Sequence, residues 1–167
     1  MRVSWVLVAL LLGGCGSLTL DKRFRVFIDS DLGGIGPRAL VALQAALAQL
    51  QRSPDSMAQD VRLVADVRLV ADVNTKLDAY VDTSDRSTLY LGPQWINAYP
   101  DAATTDLHLR VLVAHELGHM LGQDGHLVCD NDANIMAQNC LPPTGRYSLA
   151  DVHWICRATT GGICDDL

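Results

Sequence analysis

Residues 106–126 run Asp-Leu-His-Leu-Arg-Val-Leu-Val-Ala-His-Glu-Leu-Gly-His-Met-Leu-Gly-Gln-Asp-Gly-His, and the reading of this stretch decides the fold. Leu107, Val111, Leu112, Ala114 and Leu121 furnish an apolar helical surface from about Asp106 to Leu121, with Thr104 or Thr105 placed as its cap and Gly122 as its stop. His115 and His119 stand four residues apart on that helix. This puts them about 40° apart around its axis, so both imidazoles reach one ion. Glu116 can point at a water beside that ion, accept its proton and return it to a leaving amine. Imidazole ligands with an open position for water favour Zn2+ over softer or redox metals.

Composition narrows the choice of a third ligand. Of the 19 acidic residues, Glu116 is the only glutamate, so enzymes that use a distant glutamate as zinc ligand are excluded. Gly122 suits a left-handed turn that ends the helix and folds the chain back toward the ion. Two side chains beyond it compete for the role. His126 is preferred over Asp124, with Gly125 expected to absorb an extra residue through unusual backbone angles. His108, two turns before His115, is expected to face solvent, and His153 to be a surface or packing residue of a final helix.

Together His115, Glu116, His119, Gly122 and His126, followed by Asn134-Ile135-Met136, resemble the extended zinc motif and Met-turn of the metzincin metalloproteases, most of all a small matrixin-like bacterial protein. The order of elements is similar too: strand, helix, strands, long zinc helix, Met-turn, final helix. The resemblance implies an α+β, zincin-like (metzincin) domain, with a mixed twisted sheet, an active-site helix and a C-terminal helix. It also implies one zinc ion held by His115, His119 and His126, Glu116 as the catalytic base, and Met136 beneath the metal. A substrate peptide would lie antiparallel to an edge strand, for which Thr88–Leu91 is the candidate. The chain departs from the family pattern in two places: the third histidine stands four rather than three residues after the glycine, and Ala137 and Gln138 follow Met136 where some members carry a tyrosine.

Working outward, Phe24–Asp29 alternates as a half-buried strand does, and Pro37–Arg52 carries Leu40, Leu43, Leu47 and Leu50 at helical spacing. The hexapeptide 61–66, Val-Arg-Leu-Val-Ala-Asp, recurs unchanged at 67–72. A six-residue insertion keeps strand phase but turns a helix face by about 240°, so the repeat argues for strand. Leu77–Val81 and Thr88–Leu91 read as short strands around the polar turn 82–87, and Ser148 with Asp151 as a capping pair for the last helix.

At the other end, Arg2 and the apolar run Trp5–Leu12 read as an export signal over residues 1–14, too short to span a bilayer. Leu12-Gly13-Gly14-Cys15 resembles a bacterial lipobox, which implies lipidation at Cys15, a tether over 15–23 and a metallopeptidase domain over 24–167. Localisation in the cell envelope follows, at the outer membrane if the host is Gram-negative. Cys129, Cys140, Cys156 and Cys164 form an even set in an exported chain, so two disulfides are expected, with connectivity open. The 167 residues, 49% hydrophobic, suit one domain acting as a monomer. A net charge of −6 with scattered cations excludes a nucleic-acid partner.

The sequence thus predicts a membrane-anchored zinc endopeptidase acting on protein or peptide substrates. The alternative is a catalytically inactive metzincin-like lipoprotein that binds a partner or an envelope component.

Overall fold

The computed structural model describes residues 6–7, 25–52, 66–97, 102–128, 134–137 and 146–159. The strands are β1 (Val6–Leu7), β2 (Val26–Ile28), β3 (Val67–Ala71), β4 (Ala79–Asp82) and β5 (Asp85–Leu91). The helices are α1 (Ile35–Gln51), α2 (Pro93–Asn97), α3 (Ala102–Met120) and α4 (Leu149–Thr159). They make an α+β fold on a mixed sheet in the order β1-β2-β3-β5-β4. β2, β3 and β5 run parallel, while β1 and β4 pair antiparallel at the two edges. Among the described residues no helix is long and apolar enough to cross a membrane.

The second copy of the hexapeptide is the central strand. Val67 and Leu69 are buried while Arg68 between them is exposed, the alternation expected of a strand with one face in the core. Its neighbours stay in phase, with Val26 opposite Val67 and Ile28 opposite Leu69. At the strand entrance the Arg25 guanidinium and backbone N–H both donate to the Asp66 carboxylate, at 2.6 and 2.9 Å. The first copy, apart from Asp66, lies outside the described residues, as do Cys15, most of the export segment, Cys129, Cys140 and Cys164.

α1 begins at Ile35, two residues before the predicted start, and leaves Pro37 in the first turn where its missing N–H is harmless. Leu40, Leu43, Leu47 and Leu50 are buried as the spacing predicts. Ala39, Ala42 and Ala46 are buried with them and let α1 lie close against α3. Full burial of each such leucine stabilises the fold by about 2 kcal/mol.

Two expectations are corrected here. The edge strand is β4, Ala79–Asp82, and Thr88–Leu91 belongs to an inner strand between β3 and β4. A hairpin read from sequence does not say which arm pairs with the rest of the sheet. Thr88, Leu89 and Leu91 are all buried, which suits the covered position, whereas Tyr80, Val81 and Asp82 retain exposure. Tyr80 stacks on Tyr90 across the hairpin at 4.6 Å and donates to Asp72 at 2.8 Å, fastening the edge. In addition, α3 starts at Ala102, so Thr104 and Thr105 lie within the helix rather than at its cap; two alanines of high helix propensity extend its first turn.

α4 is capped as the sequence predicts, with Ser148 Oγ accepting from Asp151 N at 3.1 Å. Asp151 does more. Its fully buried carboxylate accepts from the backbone N–H groups of Ile135, Met136 and Ser148 and from Ser148 Oγ, at 2.7 to 3.1 Å. One side chain thereby caps a helix and pins the turn 134–137. Asp151→Ala is expected to destabilise the fold by about 3 kcal/mol, read as a fall in urea midpoint, because it strands buried donors. Ser148→Ala, which leaves those backbone donors satisfied, should cost about 1 kcal/mol.

Candidate metal centre

α3 is held on several sides before any polar group is placed. Leu109, Val113, Ala114 and Leu117 are buried, and the buried Tyr147 hydroxyl donates to the Ala114 carbonyl at 2.7 Å. The helix ends where Gly122 takes φ 110°. Gly122 N–H then donates to His119 O at 3.0 Å and Gln123 N–H to Gly118 O at 3.1 Å, the paired bonds of a Schellman turn. The predicted helix stop is therefore present with its left-handed glycine.

Beyond the turn, Gln123 donates to Trp154 O of α4 at 2.8 Å, and Leu127 N–H donates to Met136 O at 2.8 Å. Gly125 has no positive φ, correcting the expectation of unusual backbone angles there. Its role is spatial: a Cβ at this position would stand 3.3 Å from the Trp154 ring. The extra residue before the third histidine is accommodated by a loop that lies flat on α4.

His115, His119 and His126 come together, with one ring nitrogen from each within 4.8 Å of the others. Ring centroids are 4.8 Å apart for the helical pair and 5.0 Å from each to His126. His115 Nδ1 lies 2.6 Å from Ile135 O, and His119 Nδ1 bonds Gln123 O. Carbonyl oxygens only accept, so both Nδ1 atoms carry the proton and both Nε2 atoms present lone pairs. Those two Nε2 atoms face each other at 3.1 Å. Without a cation between them this contact is repulsive; two ligands at about 2.0–2.1 Å from one zinc ion would be separated by about that distance. Burial acts in the same direction, pushing His115 down to about 4 and lowering His119. The donor set fits a divalent metal.

Glu116 is buried, 5% exposed, and receives the backbone N–H of Val81 from β4. Its other oxygen, Oε2, has no partner among the described residues. Desolvation raises its pKa to about 7. Glu116 and the three histidines line one cavity of about 740 Å³, whose walls include Tyr80 and Val81 of β4, Trp95, Leu112, Ile135 and Ala137. His108 is half-buried on the wall of the same cavity and stands outside the histidine cluster, as expected of a residue that does not join the ligand pair.

Met136 is fully buried, and its sulfur occupies the space that a side chain at Gly118 would need: a Cβ there would lie 2.3 Å from Sδ. The glycine between Glu116 and His119 thus admits the methionine under the helix. Asp124, the competing ligand, is paired with Arg86 at 2.9 Å and stands outside the histidine cluster. The sequence reading missed Arg86 and the wider part played by Asp151. A cation in a hairpin reads as solvated, and a capping aspartate carries no mark of the distant turn it also holds.

Because the folded-state pKa of Glu116 lies above the ordinary 4.5, its ionisation destabilises the metal-free fold. That penalty is absent below about pH 4.5 and complete above about pH 7. In the presence of a chelator, Glu116→Gln is therefore expected to gain about 3 kcal/mol of stability relative to wild type between those limits as pH rises. The opposite trend of His115, whose depressed pKa costs stability as pH falls from 6.5 toward 4, is common to both proteins and cancels in the difference. Urea titrations across this range check the slope. Comparisons with protein-family models, with curated proteins and with solved structures find no match for the chain.

Proposed function

We propose that the chain is a zinc-dependent endopeptidase of metzincin type. The observation that carries this reading is the meeting of three imidazoles, two of them held with Nε2 free to bind a metal, on one cavity with a buried carboxylate whose Oε2 has no hydrogen-bond partner among the described residues. His115, His119 and His126 would hold the ion. When bound, zinc supplies Lewis acidity that polarises a scissile carbonyl and lowers the pKa of water to about 7.

The remaining work falls to the chain's own residues. Glu116, the carboxylate lining the same cavity as the three imidazoles, is placed to accept a proton from the attacking water and donate it to the departing amine. Ile135 O and Gln123 O fix the imidazole rings and the tautomers that leave Nε2 free. Among the described residues no strand pairs with the outer side of β4, which runs along the cavity with Val81 N–H bonded to Glu116; an extended peptide can add there as a further antiparallel strand, using the remaining backbone groups. The mainly apolar cavity then accommodates a substrate side chain.

The same reading places the enzyme in a bacterial envelope, anchored through Cys15 after removal of residues 1–14; β1 (Val6–Leu7) would leave with that segment, and β2 would then border the sheet opposite β4. Cys15→Ser is expected to move the protein from the membrane to the soluble fraction of cells, with loss of acyl-lipid labelling. For catalysis, Glu116→Gln at full zinc occupancy should lower kcat/KM on a peptide library by at least about 10²-fold. A chelator should abolish cleavage, and zinc should restore it only to wild type. Equal background cleavage by both proteins at matched occupancy would sink the peptidase reading.

A further inference from the structure

We propose that Arg86 is a positioning residue that, through Asp124, holds the third imidazole in place. Arg86 lies at the start of β5, in the hairpin whose other arm gives the Val81 N–H to Glu116. Its guanidinium reaches across to the end of α3. Nη1 donates to the carbonyl oxygen of His119 at 3.0 Å, and Nη2 donates to the Asp124 carboxylate at 2.9 Å. One rigid fork therefore grips the backbone of the second histidine and a side chain two residues before the third.

The loop needs such a tie. Between Gly122 and His126 the chain has one residue more than the motif it resembles, and His126 itself is exposed. Gln123 is fixed from the α4 side and Leu127 by the turn at Met136. Arg86 supplies the hold from the sheet side, between those two. The ion pair is one-third exposed at Arg86 and more than half exposed at Asp124, so its direct share in fold stability is small. Its effect is geometric, on the direction of His126. Asp124 also neutralises the cation that would otherwise stand near the metal cluster.

The inference rests on the zinc reading above, and its test uses the full chain with Zn2+ and Co2+ alone as probes. Zinc affinity is measured by chelator competition, the cobalt absorption spectrum reports the ligand set, and thermal unfolding of the metal-free protein reports the fold. His126→Ala serves as the reference for a lost third ligand. Arg86→Ala and Asp124→Ala are each expected to weaken zinc binding about tenfold. Their cobalt spectra should shift toward that of His126→Ala, while metal-free unfolding stays close to wild type. The double variant should be no weaker than the worse single, because both changes open one clamp. Arg86→Lys, which keeps the charge but not the fork, should recover part of the loss.

Zinc affinity within twofold of wild type in both single variants, additive losses in the double, or weaker binding with an unshifted cobalt spectrum would each overturn the clamp alone. If wild type binds no zinc, or His126→Ala binds it equally well, the zinc reading falls and the clamp with it.

Discussion

Two unprotonated imidazole nitrogens facing each other at 3.1 Å are the constraint around which the structure is arranged. Each ring is held by a carbonyl oxygen on its far side, so neither can rotate to exchange its lone pair for a proton without losing that bond. Burial lowers the basicity of both, which removes protonation as an easy escape. A shared cation is the remaining remedy, and the third imidazole stands where it completes the set.

The cost of holding this arrangement is spread through the fold. The carbonyl that orients His115 belongs to Ile135, in a turn that would be loose without the Asp151 carboxylate beneath it. The carbonyl that orients His119 belongs to Gln123, whose place is set by the left-handed Gly122 and by the bond to Trp154 O. Met136 packs under the helix only because Gly118 has no side chain. Strain and precision at the centre are thus balanced by ordinary hydrogen bonds and close packing at some distance from it.

Much of the architecture was legible because its signals are local. The His-x-x-x-His spacing, the helix stop at Gly122, the leucine period of α1, the strand phase of the hexapeptide repeat and the Ser148–Asp151 cap each depend on neighbours within about two turns. What escaped the sequence is non-local. Thr88–Leu91 looks as much like an edge as Ala79–Asp82 until β3 chooses its partner, and nothing local to His108 shows that it borders the same cavity as Trp95 and β4.

The sequence by itself determined the main strands and the three long helices, though not the short α2 or the start of β5 at Asp85, together with the helical histidine pair, the single glutamate beside it and the position of the turn that follows. Only the tertiary structure decided that His126 rather than Asp124 joins the cluster, that β4 borders the cavity, and that Arg86 and Asp151 support the site. Spacing along one helix fixes direction through covalent geometry and hydrogen-bonded pitch. A contact between distant segments is fixed by packing, by burial and by which donor finds which acceptor, and those are properties of the folded chain alone.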